Sequence, residues 1–216
     1  MPFVPFLVPV MAGVVAAGPA GWQLKASVTG PNTGGSTFTL GPINTVGADL
    51  IVIGSSGAPG AAPTDSAGNA WTAGPTGSGN GAVATWYTYN AITSSSHTFT
   101  IANSYYQSAA VLAYSGSLKT SAVLDRSSTS TTNQPGSITP TTSNQLIVAM
   151  YALTASNPPY TINQGFTIEK QTDYAAGVGY GTVAADLIQT AAAAVNPTLL
   201  PSASVSGSVI ASFKHG

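Results

Sequence analysis

Apolar residues recur at every second position along much of this chain, with serine and threonine between them, and that period suits a half-buried pleated strand rather than a helix. In WQLKASVTG, Trp22, Leu24, Ala26 and Val28 share one face while Gln23, Lys25, Ser27 and Thr29 share the other. The same alternation places Phe38 and Leu40 inward in STFTL, Phe99 and Ile101 inward in HTFTI, and Val205, Val209, Ala211 and Phe213 inward in SVSGSVIASF. Two runs, DLIVIG and QLIVAMYAL, are continuously apolar, which predicts central strands covered on both faces. Between the strands lie GPNTGG, GAPGAAPTDSAGN, GPTGSGNG, STSTTNQPGS, ASNPP and VNPT, whose Gly, Pro, Asn and Ser favour turns. The pattern predicts an all-β fold, an antiparallel β-sandwich of jelly-roll or immunoglobulin-like type. LIQTAAAAV, Leu187 to Val195, has helical propensities but is short, and suits a loop equally well.

Charge narrows the function classes. Five Lys plus Arg and six Asp plus Glu make 5% of the 216 residues, against roughly 25% in an ordinary soluble domain. The exposed faces must then be hydroxyls and amides. A net charge of −1 offers no basic footprint for nucleic acid. Weak self-repulsion also favours association with copies or partners. Cysteine is absent, which removes disulfides, thiol nucleophiles and zinc–thiolate sites. Apolar residues at 44% are enough for a core.

Residues 1–21 form an apolar segment punctuated by Pro2, Pro5 and Pro9, with no Lys or Arg before Lys25. The prolines oppose a signal or membrane-spanning helix, and the missing positive charge opposes a secretory leader. The segment reads as an extended arm whose Phe3, Val4, Phe6, Leu7 and Val8 need a partner surface; a signal-like segment is the competing reading. Residues 22–216 then form a single sandwich domain. Within it, residues around 42–117 and 140–213 repeat similar events in order: PINTVGADLIVIG and PTTSNQLIVAM, ATWYTYNA and GVGYGTVAAD, SAAVLAYSG and SGSVIASF. This echo predicts two related halves, about 22–126 and 136–216, joined by STSTTNQPGS.

The run GPINTVGADLIVIG, with DSAGNAWT, WYTYNA, SHTFTI, SAAVLAYSG and PGSITPTTSNQLIVAM, resembles a loose family of β-sandwich modules found in bacteriophage virion proteins and large bacterial surface proteins. The resemblance covers about residues 22–168. It implies a sandwich in a structural setting and carries no catalytic residues. The apolar arm, superfluous in an embedded surface module, favours a virion.

The search for chemistry leaves no catalytic residue nominated. His97 and His215 are the only imidazoles; His97 shares parity with Phe99 and Ile101, which suits a capping or interface role, and His215 lies near the C-terminus. No G-x-S-x-G, P-loop or H-E-x-x-H occurs. Gly177, Gly179 and Gly181 in GVGYG read as strand with close backbone approach. The carboxylates Asp49, Asp65, Asp125, Glu169, Asp173 and Asp186 are scattered, and Asp125 beside Arg126 reads as a local surface pair. In TDSAGNAWT, Asp65 and Asn69 are calcium candidates, with Ser66 a further oxygen; the same residues make an ordinary turn in which Asp65 bonds its own backbone and Gly68 takes a positive φ.

The aromatic residues Trp71, Trp86, Tyr87, Tyr89, Tyr105 and Tyr106 suit an interface or a sugar-stacking platform. Alternation puts Trp86 opposite Tyr87 and Tyr89, so one set is expected inside and the other exposed. The expected function is a non-enzymatic virion component, a capsid decoration or similar outer protein. Its partners would be copies of itself and neighbouring capsid proteins, and it would take no cofactor beyond the calcium candidate. The competing reading is a secreted carbohydrate-binding or adhesin module, or an extracellular filament subunit.

Overall fold

The computed structural model describes residues 21–30, 37–57, 60–79, 81–102, 106–116 and 123–215. The continuously apolar runs form its two central strands. β3 (Leu50–Ser56) and β10 (Gln145–Leu153) are buried along their whole length. Around β3 are β1 (Gln23–Thr29), β8 (Ser108–Ser115), β6 (Val83–Tyr89) and β5 (Thr72–Thr76), giving an antiparallel sheet ordered β1-β8-β3-β6-β5. Around β10 are β12 (Thr167–Thr172), β13 (Gly181–Gln189), β15 (Val205–Phe213) and β9 (Leu124–Ser130), ordered β12-β13-β10-β15-β9. Each sheet comes from one continuous stretch of chain. Read from its first strand, the second sheet runs β9-β15-β10-β13-β12, the same winding order as the first.

The two sheets pack face to face over a core of Leu50, Val52, Leu112, Tyr114, Leu146, Val148, Met150, Val209 and Phe213. Gly54 and Met150 meet in this layer: a Cβ at Gly54 would lie 2.8 Å from Met150 Cγ, so the absent side chain leaves room for the methionine. Each sheet is also covered on its outer face, which is why alternation fails in the central strands. A three-stranded sheet of β2 (Thr37–Ile43), β7 (His97–Ala102) and β4 (Thr64–Asp65) covers the first. It buries Leu40, Phe99 and Ile101 against Ile51, Ile53, Trp86 and Val111. The ribbon of β11 (Thr161–Ile162) and β14 (Leu199–Leu200), with Ile138, Tyr160, Phe166 and Val195, covers the second.

Several local expectations are corrected. In β1 the register slips between Leu24 and Ala26, so Trp22 and Leu24 join the central core while Ala26 and Val28 join the outer one. A similar slip divides Val205 from Val209, Ala211 and Phe213. LIQTAAAAV is not helical: β13 continues to Gln189, and the only helical turn among the described residues is a 3-10 turn at Ser202–Ser204. STSTTNQPGS is not wholly a linker, because Ser128, Thr129 and Ser130 belong to edge strand β9. GPTGSGNG begins in β5, where Pro75 is tolerated because β5 is a sheet edge. No helix among the described residues is long and apolar enough to cross a membrane.

Candidate functional site

The first cluster with chemical potential grows from β4, whose two residues pair with β7 and bring Asp65 to the buried His97. His97 Nε2 donates to Asp65 Oδ1 at 3.0 Å, and His97 Nδ1 meets Thr45 Oγ1 at 2.8 Å. The imidazole stacks on Phe99 with ring centroids 4.3 Å apart. Asp65 also accepts the Ala67 N–H at 2.8 Å and Trp71 Nε1–H at 2.9 Å. Burial pushes its carboxyl up, but bonds from His97, the Ala67 and Asn69 amides and Trp71 outweigh this and hold it below its ordinary value. The chain of alcohol, imidazole and carboxylate has the composition of a hydrolytic relay. Its setting is different: Thr45, His97 and the Asp65 side chain are closed to solvent, and Thr45 is bonded to both backbone groups of Ser94. The cluster ties three loops together.

Of the two readings of Asp65 and Asn69, this geometry supports the turn. Both Asp65 oxygens receive N–H donors, and Asn69 Oδ1 accepts the Ile92 N–H at 2.7 Å, so these oxygens are already committed. The segment is a turn, with Gly68 at φ 77°. Among the described residues no group of three or more His, Asp or Glu side chains is arranged to hold a metal.

The aromatic expectation also changes. Trp86 and Tyr87 lie on opposite faces as alternation requires, yet both are buried, Trp86 under the three-stranded sheet and Tyr87 against Phe213 between the large sheets. Neither is presented to a partner or a sugar. Tyr89, at the strand end, is 37% exposed. Trp71 is half-buried, edge-on to Phe99. Phe3, Val4, Phe6, Leu7, Val8 and Tyr105 lie outside the described residues. Asp125 pairs with Lys214 at 3.2 Å and accepts from Thr141, rather than pairing with its neighbour Arg126.

A second site lies where loops gather at one end of the sandwich. Tyr106, Thr154, Tyr174, Gly177, Gly179 and Tyr180 line an open groove of about 300 Å³. The Tyr180 N–H donates to Tyr106 O at 3.0 Å, joining loops that lead into β8 and β13. Beneath it, Ser108 Oγ donates to Tyr180 O at 2.8 Å and lies 2.7 Å from Thr182 Oγ1, which donates to Ser56 Oγ at 2.8 Å. These buried hydroxyls cross from one sheet to the other. Gly177 and Gly179 lie in the turn before β13, rather than in a strand as their alternation suggested. Sequence reasoning singled out Tyr106 but missed Tyr174 and Tyr180; tyrosines close to Gly177, Gly179 and Gly181 were the available signal. Compared with known proteins, the chain matches no family model, no curated protein and no solved structure.

Proposed function

We propose that the chain is a non-enzymatic structural protein of a bacteriophage virion, an outer component of the capsid-decoration kind that assembles through uncharged β surfaces. The observation that carries this reading is how its polar chemistry is used. The one alcohol–imidazole–carboxylate chain among the described residues is sealed inside and serves to hold loops, while the surface has few charges to keep neighbours apart. Contact area is offered by the paired loops 44–49 and 90–96, tied by Thr45 N–H to Ser94 O and Ala91 N–H to Asp49 O. They expose Val46 and Ile92 by 56% and 59%. Apolar side chains presented on braced loops favour association, because burying them removes apolar surface from water.

The test is density-gradient separation of particles from cells producing the chain, followed by electron microscopy. Co-migration with capsids and regular surface density support the reading, and a Val46→Lys/Ile92→Lys double variant should fold but lose occupancy. Recovery of the chain only as free protein, with no particle-bound fraction, refutes it.

A further inference from the structure

We infer that the groove of Tyr106, Tyr174 and Tyr180 is a binding site for a neutral saccharide. Three tyrosines converge on one groove, and ring faces of this kind pack against the C–H faces of a pyranose while their edges accommodate its hydroxyls. The Tyr174 and Tyr180 rings are 6.4 Å apart and tilted by 51°, so they present an angled wall rather than a closed stack. Thr154 adds a hydroxyl and Gly177 exposes backbone beside the rings. None of the described lining residues is charged. That chemistry suits a neutral sugar and offers no cation to a phosphate or a sulfated chain.

Two further features separate this groove from incidental surface tyrosine. First, it is built in advance. The backbone of Tyr180 is held by Tyr106 and by the Ser56 and Ser108 hydroxyls, which Thr182 in turn bonds, and its ring lies so close to Gly81 that a Cβ there would meet it at 2.6 Å. A ring held before binding loses less freedom when a ligand arrives. Second, Tyr106 is 48% exposed although its backbone takes φ 61°, a left-handed conformation that is costly for a bulky residue. At that position it lines the groove together with Tyr174 and Tyr180.

This inference does not depend on the virion reading, since the groove belongs to a single chain. The test uses the intact chain and calorimetric titration with cellohexaose, maltohexaose and a galactose-containing oligosaccharide, with dextran sulfate as the anionic comparison. At least one neutral oligosaccharide should bind and dextran sulfate should not compete. Tyr106→Ala and Tyr174→Ala should each weaken binding by roughly tenfold or more, Tyr174→Phe should retain it because the ring remains, and Tyr89→Ala should leave it unchanged. Circular dichroism and thermal unfolding check that each variant is folded. Absence of binding to all three neutral oligosaccharides overturns the inference. Equal binding by a folded Tyr106→Ala/Tyr174→Ala double variant also overturns it. So does a change in sedimentation of the ligand-free chain in that variant without an effect on sugar, which would give the groove to a second copy.

Discussion

Stability should fall as pH rises from about 4 to about 6, the reverse of ordinary acid denaturation, because of one aspartate between the two large sheets. Asp186 is 8% exposed and accepts a 2.8 Å bond from the Tyr114 hydroxyl. Burial raises its pKa from 3.8 to about 6; the Tyr114 bond opposes this and the charge of Glu169 on β12 adds to it. Between those values the folded chain holds a proton that the unfolded chain has released, so increasing pH favours unfolding. At about 1.4 kcal/mol per pH unit, the gap from 3.8 to about 6 corresponds to about 3 kcal/mol, present in full at pH 3.8 and below and lost by the time Asp186 is ionised. Asp125 and Asp65 act oppositely. The Asp125 carboxyl is buried, yet Thr141, Gln145 and Lys214 hold it at about 2, and Asp65 is also lowered, so both contribute stability that is lost as pH falls below 3.8. Maximum stability is therefore expected near pH 4. Urea unfolding at half-unit steps from pH 3 to 8 measures the curve, and Asp186→Asn should flatten its limb between pH 4 and 6 because asparagine keeps an acceptor for Tyr114 without a charge. An unchanged slope in a two-state Asp186→Asn variant refutes the assignment.

Asp65→Ala removes the acceptor for His97, Trp71 and Ala67 together and should destabilise the chain by about 3–5 kcal/mol in chemical denaturation, the range for breaking a buried pair. His97→Phe should cost less than His97→Ala, since phenylalanine retains the stack on Phe99; thermal melts compare the two. Gly54→Ala should cost about 1–3 kcal/mol by overpacking against Met150. Combined with Met150→Ala it should cost less than the sum of the two single changes, a coupling read from a double-mutant cycle.

What could be read before folding was set by whether a residue's burial depends on its own strand. DLIVIG and QLIVAMYAL announced central strands because a run without polar positions needs cover on both faces, and β3 and β10 have it. The face assignment in WQLKASVTG failed at Lys25 because the slip lies in the pairing with β8, between Leu24 and Ala26. Trp86 and Tyr87 illustrate the same limit: their opposite parity was legible, but the third layer over Trp86 comes from strands before and after it in the chain. LIQTAAAAV has good helix formers, yet Leu187 to Gln189 continue β13 opposite β10, where pairing outweighs so weak a local preference.

The sites followed the same division. Parity put His97 on the face of Phe99 and Ile101 and suggested a capping or interface role; a buried imidazole requires a polar partner, but parity does not say which. Choosing Asp65 required the short pairing of β4 with β7, which two residues of sequence do not specify. The tyrosine groove was further from view. Tyr106 and Tyr180 lie in loops that lead into different large sheets and meet through one backbone bond, while Ser56, Ser108 and Thr182 join those sheets below them. Serines and threonines that looked like a solvated face thus include the hydroxyls that seat the groove. Their burial also explains how a chain with so little charge can orient its aromatics: neutral hydrogen bonds fix the loops without requiring ions to be taken from water.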